Sequence, residues 1–197
     1  MLSSKSLGPL VVGIASLLCV GIPVRDAIAD GANSVSGKVT AKKMSIVKNS
    51  VVYLEQVPGT HKPAAKPVRI DQINQTFSPS VAPVVVGTTV DFLNNDNTLH
   101  SVFSPDGEKY DLGQWGKGES RHYTFKTPGV YTQLCKLHPQ MVAYIIALQN
   151  PYFAITKDDG SFAIPIPNLP PGEYQLAVWN ERQKAAPLPV KIEAAPV

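Results

Sequence analysis

No stretch of this chain sustains the 3.6-residue apolar period of an amphipathic helix. Apolar residues come instead in ten short runs bounded by turn residues. The runs are Val35 to Thr40, Ser50 to Leu54, Val68 to Ile73, Thr88 to Leu93, His122 to Phe125, Gly129 to Leu134, Ala143 to Leu148, Tyr152 to Ile155, Ser161 to Ile164 and Tyr174 to Trp179. Short runs rich in Val, Ile, Thr, Tyr and Phe with turn signals between them are the pattern of strands. The 18 prolines and 14 glycines are scattered evenly, so they interrupt any longer helix. The chain is expected to be all-β, a sandwich or barrel with little helix.

One segment within that frame carries chemistry. Gly129 to Met141 reads G-V-Y-T-Q-L-C-K-L-H-P-Q-M and ends in Cys135, His138 and Met141. A thiolate, an imidazole and a thioether together suit copper, and a His₂Cys set with a weak axial Met is the blue-copper arrangement. The missing imidazole comes from G-T-T-V-D-F-L-N-N-D-N-T-L-H, where a strand pattern runs into a polar turn and delivers His100, 35 positions before the cysteine. Structural zinc is the main rival for Cys and His. It wants four such ligands and does not take a thioether, and this segment holds one cysteine. A lone Met is usually core filler, but Met141 lies three residues past His138. His61 and His122 stand outside the set and read as surface or core residues.

From Val68 to Leu148 the chain resembles the cupredoxins, the plastocyanin, amicyanin and pseudoazurin group of small electron carriers. In that family a strand carrying G-x-x-V-x-F-x-N-x-D precedes the first His, and a P-G-x-Y turn opens the strand that leads into the Cys-His-Met loop. Here those pieces are Gly87 to Asp96, His100 and Pro128 to Tyr131. The short C-x2-H-x2-M loop looks most like amicyanin. The resemblance implies a Greek-key sandwich with one type 1 copper. Cys135, His100 and His138 would be its equatorial ligands, Met141 its axial ligand, and His138 the exit for electrons within an apolar patch of Leu99, Leu137 and Pro139. It also implies a redox protein partner such as a cytochrome. Ser101 sits where many relatives have an Asn that braces the Cys loop, and its shorter side chain puts that brace in question.

Residues 1 to 29 have a positive start (Lys5), an apolar run from Leu7 to Val20, and Ala27-Ile28-Ala29 before Asp30. This is the pattern of a secretory signal peptide with an A-x-A cleavage site. The run is short for a membrane span and contains Gly8, Pro9 and Gly13. Export to the periplasm or outside the cell, with no stable membrane span in the mature chain, is the expectation. Cleavage removes Cys19 and leaves Cys135 as the one cysteine. An unpaired thiol in an oxidising compartment is a liability unless metal-bound or buried. Removing Lys5, Arg25 and Asp26 from 18 basic and 15 acidic residues leaves 16 and 14, a net of +2. So small a charge points to neither nucleic acid nor an anionic membrane.

The ends of the mature chain resemble a second family, the carboxypeptidase regulatory-like (prealbumin-type) β-sandwich. Ser36 to Thr40 with Asn49 to Leu54 resembles its opening hairpin. Ile155 to Phe162 followed by Asn168 to Leu176 resembles the remainder, with its D-G-x-F and L-P-P-G-x-Y turns. The turn chemistry agrees, since Asp159-Gly160 supplies a positive φ and Pro171-Gly172 the order of a type II turn. The implied organisation is a signal peptide at 1–29, a cupredoxin domain at 62–148, and a smaller discontinuous sandwich from 34–61 with 149–197 into which the copper domain is inserted. The alternative makes residues 35–55 the first strands of the cupredoxin itself. His61 to Pro67 reads as a linker, and Asp106 to Ser120, with four glycines, as a long loop.

An exported type 1 copper protein carrying single electrons is the first functional reading. The alternatives are a copper-binding and delivery protein, and an extracellular β-sandwich binding module with structural copper. No enzyme is expected. Multicopper oxidases and copper nitrite reductases join two coppers through His residues beside the Cys, and here Leu134 and Lys136 occupy those places. A G-x-S-x-G, an H-E-x-x-H and a Gly-rich phosphate loop are absent from the sequence.

Overall fold

The computed structural model describes residues 24–30, 34–41 and 47–193, the first of these as backbone alone. Of the signal-peptide reading, residues 1–23 lie outside the described residues, and the A-x-A segment falls within a strand. Among the described residues the regular elements are seventeen strands. In chain order they are β1 (Val24–Asp30), β2 (Ser34–Val39), β3 (Val51–Glu55), β4 (Val68–Ile73), β5 (Thr76–Ser78), β6 (Val81–Val85), β7 (Thr89–Asn94), β8 (His100–Ser104), β9 (Tyr110–Trp115), β10 (Ser120–Thr124), β11 (Gly129–Leu134), β12 (Val142–Leu148), β13 (Phe153–Ile155), β14 (Ser161–Pro165), β15 (Gly172–Asn180), β16 (Gln183–Lys184) and β17 (Leu188–Ile192). The all-β expectation holds. Among the described residues no helix is long and apolar enough to cross a membrane.

The strands pair into four sheets, ordered β1-β2-β14, β13-β3-β15-β16 with β17 also on β15, β6-β12-β11-β8-β9, and β10-β7-β4-β5. Side-chain alternation stacks them in that order. On β3, Val52 and Leu54 enter a core with Val39, Phe162, Tyr174, Leu176 and Val178. Val51 and Tyr53 turn the other way into a cluster with Val81, Ile146 and Leu148. On β12, Ile146 and Leu148 face that cluster, whereas Ala143, Ile145 and Ala147 face a larger core drawn only from residues 70–147. Both strands are thus covered on both faces, which is why each reads as a continuous apolar run rather than an alternating one.

The chain leaves the sheet of β3 and β15 after β3 and returns to it at β13, and β3 and β13 are neighbours, with Phe153 opposite Tyr53. Leu54 N donates to Tyr152 O at 3.0 Å, and Asn150 Nδ2 donates to Leu54 O at 2.8 Å. The ends of the intervening segment are therefore pinned together, a closure whose entropic cost grows only slowly with loop length. Residues 61–67 form no regular element, yet they are not detached. Ala64 N donates to Thr88 Oγ1 at 3.2 Å, and Pro63 packs on Gly87, where an added Cβ would stand 3.2 Å from the Pro63 ring.

Two P-G-x-Y turns are built alike. Tyr131 OH donates to Thr127 O at 2.9 Å, and Tyr174 OH to Pro170 O at 2.8 Å, so each ring folds back on its own glycine and fixes the start of its strand. The first of these strands, β11, carries the chain toward Cys135. At the Asp159-Gly160 turn, Gly160 has φ +82 and an added Cβ would lie 2.2 Å from Val39 O, so only glycine fits.

One expectation is overturned. Asp106 to Ser120 is not a long loop, because β9 occupies its centre and pairs with β8. Its glycines mark turns and a bulged edge, and Tyr110, Leu112 and Trp115 still reach the core. Strands β6 and β17 contain Pro83 and Pro189, which masked them in the sequence. The first is an edge strand, where a missing N–H is tolerated.

Candidate metal centre

His100 is the first residue of β8, Cys135 follows the last residue of β11, and Met141 immediately precedes β12. Because β8 and β11 are paired, with Leu134 opposite Phe103, two segments far apart in sequence end side by side. His100 Nδ1 lies 3.1 Å from His138 Nδ1, and Cys135 Sγ lies 3.8 Å from that same atom. The donor atoms of His100, Cys135 and His138 all fall within 4.8 Å of one another. His100 and Cys135 are buried at 0% and 4% exposure, and His138 is half-buried. Met141 N donates to His138 O at 2.9 Å, closing the loop into a turn, and the Met141 side chain lies in the larger core with Cys135.

Each donor is held by neighbours. Asp96 Oδ2 stands 2.8 Å from His100 Nε2, so that nitrogen donates and Nδ1 keeps its lone pair toward the cluster. Asp96 in turn accepts from the backbone of Asn74 at 2.6 Å and Gln75 at 2.8 Å, and its own N–H donates to Asn94 Oδ1 at 2.8 Å. Burial pushes the Asp96 carboxyl up, but donation from Gln75, His100 and Asn74 outweighs it and holds the group below the usual carboxylate range. Asn94 ties the turn together, giving its amide to Thr98 O at 2.8 Å and Trp115 O at 2.9 Å.

Ser101 supplies the brace that its size put in question. Its backbone N–H points at Cys135 Sγ at 3.4 Å, and its hydroxyl lies 3.7 Å from the same sulfur. The hydroxyl also accepts from Lys136 N at 2.8 Å. Burial raises the Cys135 pKa, yet donation from Ser101 N and Leu137 N with contact from His138 and His100 brings it down to about 6. A thiol so placed is readily a thiolate, the form that ligates metal.

Two imidazole nitrogens and one thiolate, with a thioether in the closing turn, form a donor set that fits copper by softness. Leu137, 42% exposed, and exposed Pro139 flank His138 in the chain, and Leu99, before His100, is 52% exposed, so apolar side chains adjoin both imidazole residues. Next to Leu137, Lys136 forms an ion pair with Asp111. His122 is exposed, and His61 packs edge-on against Tyr152 with ring centroids 5.7 Å apart, so neither joins the cluster. Asn94 and Asp96 are the N and D of the G-x-x-V-x-F-x-N-x-D motif, but the motif alone assigns them no part in holding His100. The signal was the four-residue interval between Asp96 and His100, which carries meaning only once the turn is closed.

No family model matches the chain. Among solved structures it is similar to a copper-containing nitrite reductase from Thermus scotoductus SA-01, at 29% identity and TM-score 0.40, over 44% of this chain and 25% of that one. It is similar to a purple cupredoxin from Nitrosopumilus maritimus, at 24% identity and TM-score 0.39, over 41% of this chain and 98% of that one. It is also similar to a reduced amicyanin variant, at 20% identity and TM-score 0.40, over 49% of this chain and 97% of that one. The chain thus spans a quarter of the nitrite reductase, and each likeness covers less than half of this protein.

Proposed function

We propose that this protein is an exported type 1 copper protein that carries single electrons to or from a redox protein partner. The observation that supports it is the buried convergence of His100 Nδ1, His138 Nδ1 and Cys135 Sγ within 4.8 Å. Cys135, His100, His138 and Met141 would hold the ion. Copper there supplies a one-electron Cu(I)/Cu(II) couple. The protein's part is to keep the donors still. Asp96 locks the His100 ring, Ser101 locks the Cys135 loop, and both act through bonds that need not change with the charge on the ion. Exposed Leu99, Leu137 and Pro139, each beside an imidazole ligand in the chain, would give a partner an apolar surface on which to dock. Leu134 and Lys136 beside Cys135 leave the loop without a bridging imidazole, which favours a carrier over an enzyme.

The test is the absorption spectrum and voltammetry of the copper-loaded protein. An intense thiolate-to-Cu(II) band with a reversible couple is expected, and Cys135→Ser should abolish the band and most of the affinity, since a hydroxyl does not replace a soft thiolate. A Cys135→Ser protein that keeps the band refutes the ligand set. Copper binding without a reversible couple replaces the carrier with a copper-delivery protein. Export rests on residues 1–29 acting as a cleaved signal, and cleavage after Ala29 would take all but Asp30 of β1 away. The mass of the secreted protein decides it.

A further inference from the structure

Gln72 is fully buried, at 0% exposure, and among the described residues neither its amide nitrogen nor its amide oxygen has a hydrogen-bond partner. Leaving such a group unpaired costs folding stability. An apolar residue would remove that cost. In folded proteins buried polar groups are as a rule paired, and Gln72 is the residue here with both amide atoms unsatisfied among the described residues, which calls for a role.

Its position points to that role. On β4, Ile70 enters the larger core, Gln72 is the next inward side chain, and Ile73 faces out. Across the parallel pair of β4 and β7, Gln72 stands opposite Asn94, the residue that ties together the turn before His100. Asn94 already uses its oxygen for Asp96 N and its nitrogen for Thr98 O and Trp115 O. On the other side, Gln72 is paired with Phe77, which offers nothing polar. Just beyond Gln72, the turn at Asn74 and Gln75 donates to Asp96, the carboxylate that holds His100. Gln75 Oε1 also accepts from Gln140 Nε2 at 2.9 Å, one residue before Met141. Gln72 is therefore the last inward side chain beneath a turn that touches both the His100 brace and the Met141 loop.

We propose that Gln72 is a tuning residue for the metal held by His100, Cys135, His138 and Met141, its amide oxygen favouring the higher charge state of the ion. This rests on the copper reading of the site. An amide oxygen is among the weak donors that copper sites accept along their axis. An amide carbonyl dipole buried near a cation stabilises its higher charge, Cu(II) over Cu(I), even without a short bond.

The test compares copper-loaded wild type with Gln72→Leu and Gln72→Glu, reading reduction potential, Cu(I) and Cu(II) affinity, electron paramagnetic resonance and the unfolding of the metal-free proteins. Gln72→Leu should unfold at a higher temperature without metal. It should bind Cu(II) about tenfold more weakly with Cu(I) affinity unchanged, which raises the potential by about 59 mV. Gln72→Glu, which places a carboxylate in the same spot, should lower the potential, and it carries the test if the leucine variant does not fold. A higher unfolding temperature with an unchanged potential and resonance spectrum overturns the proposal and makes Gln72 a merely buried residue. A wild type without the thiolate band refutes the copper reading instead, and that is visible before any variant is made.

Discussion

Replacing Ser101 with alanine removes one oxygen from a side chain of 0% exposure, and the structure says what that oxygen holds. It accepts from Lys136 N at 2.8 Å and lies 3.7 Å from Cys135 Sγ, while the Ser101 backbone N–H keeps its own 3.4 Å contact to the sulfur in either protein. A lost neutral hydrogen bond is worth about 0.5–1.5 kcal/mol, and a donor left unpaired raises the cost toward 1–3 kcal/mol. Lys136 N is only partly buried and water can reach it, so about 1–2 kcal/mol is the expectation. For a chain of this size each kcal/mol lowers the unfolding temperature by about 2–4 °C. The metal-free Ser101→Ala protein should therefore melt roughly 2–8 °C below wild type. Copper affinity should drop about tenfold as the Cys135 loop loosens. Circular dichroism melts of the metal-free proteins and competition titrations with a copper chelator read the two effects separately. If both are unchanged, Ser101 is no brace and the loop is held by its own turn.

Met141→Leu should leave copper bound and raise the reduction potential, because loss of a weak axial donor destabilises Cu(II) more than Cu(I); voltammetry showing an unchanged potential would assign Met141 to the core alone. Glu108 accepts from Tyr123 OH at 2.8 Å, Lys126 N at 2.8 Å and Thr127 N. Burial pushes its carboxyl up, but these donors hold it below the ordinary value of 4.5. A depressed folded pKa means the stabilisation is whole above the unfolded value and is lost as pH falls through the folded one. The stability gap between wild type and Glu108→Gln should thus be flat near neutrality and narrow only in acid, and a gap that persists unchanged through acid unfolding would place the effect elsewhere. Residues 65–150 alone should fold and bind copper, since every member of the larger core lies between residues 70 and 147. Excising Lys62 to Leu148 with a short Gly linker should leave a folded but less soluble β module, because Val51, Tyr53, Phe153 and Trp179 lose their cover. Two unfolded products in circular dichroism would show instead that neither sandwich folds without the other.

Residue type and local spacing were enough for the all-β class and for singling out His100, Cys135 and His138, which the fold brings together. A run such as Val68 to Ile73 between turn residues can bury itself in few ways, and Gly129 to Leu134 is a strand at the bounds its pattern gives. Cys135, His138 and Met141 are chemistry written in seven consecutive positions. The stretches that misled are those where local signals conflict with pairing. The glycines between Asp106 and Ser120 read as loop, yet β8 offers an edge on which β9 forms despite them. Pro83 hid β6, which needs only one partner. What surrounds the donors was legible only in part. Whether Ser101 reaches Cys135, 34 positions away, depends on the register of β8 against β11, and the unpaired state of Gln72 depends on what β5 and β7 place beside it. Side-chain identity sets which bonds a residue can make and is written at that residue. Whether those bonds find partners is decided by which strands lie adjacent and in what register, and adjacency is a property of the closed sheets rather than of any segment.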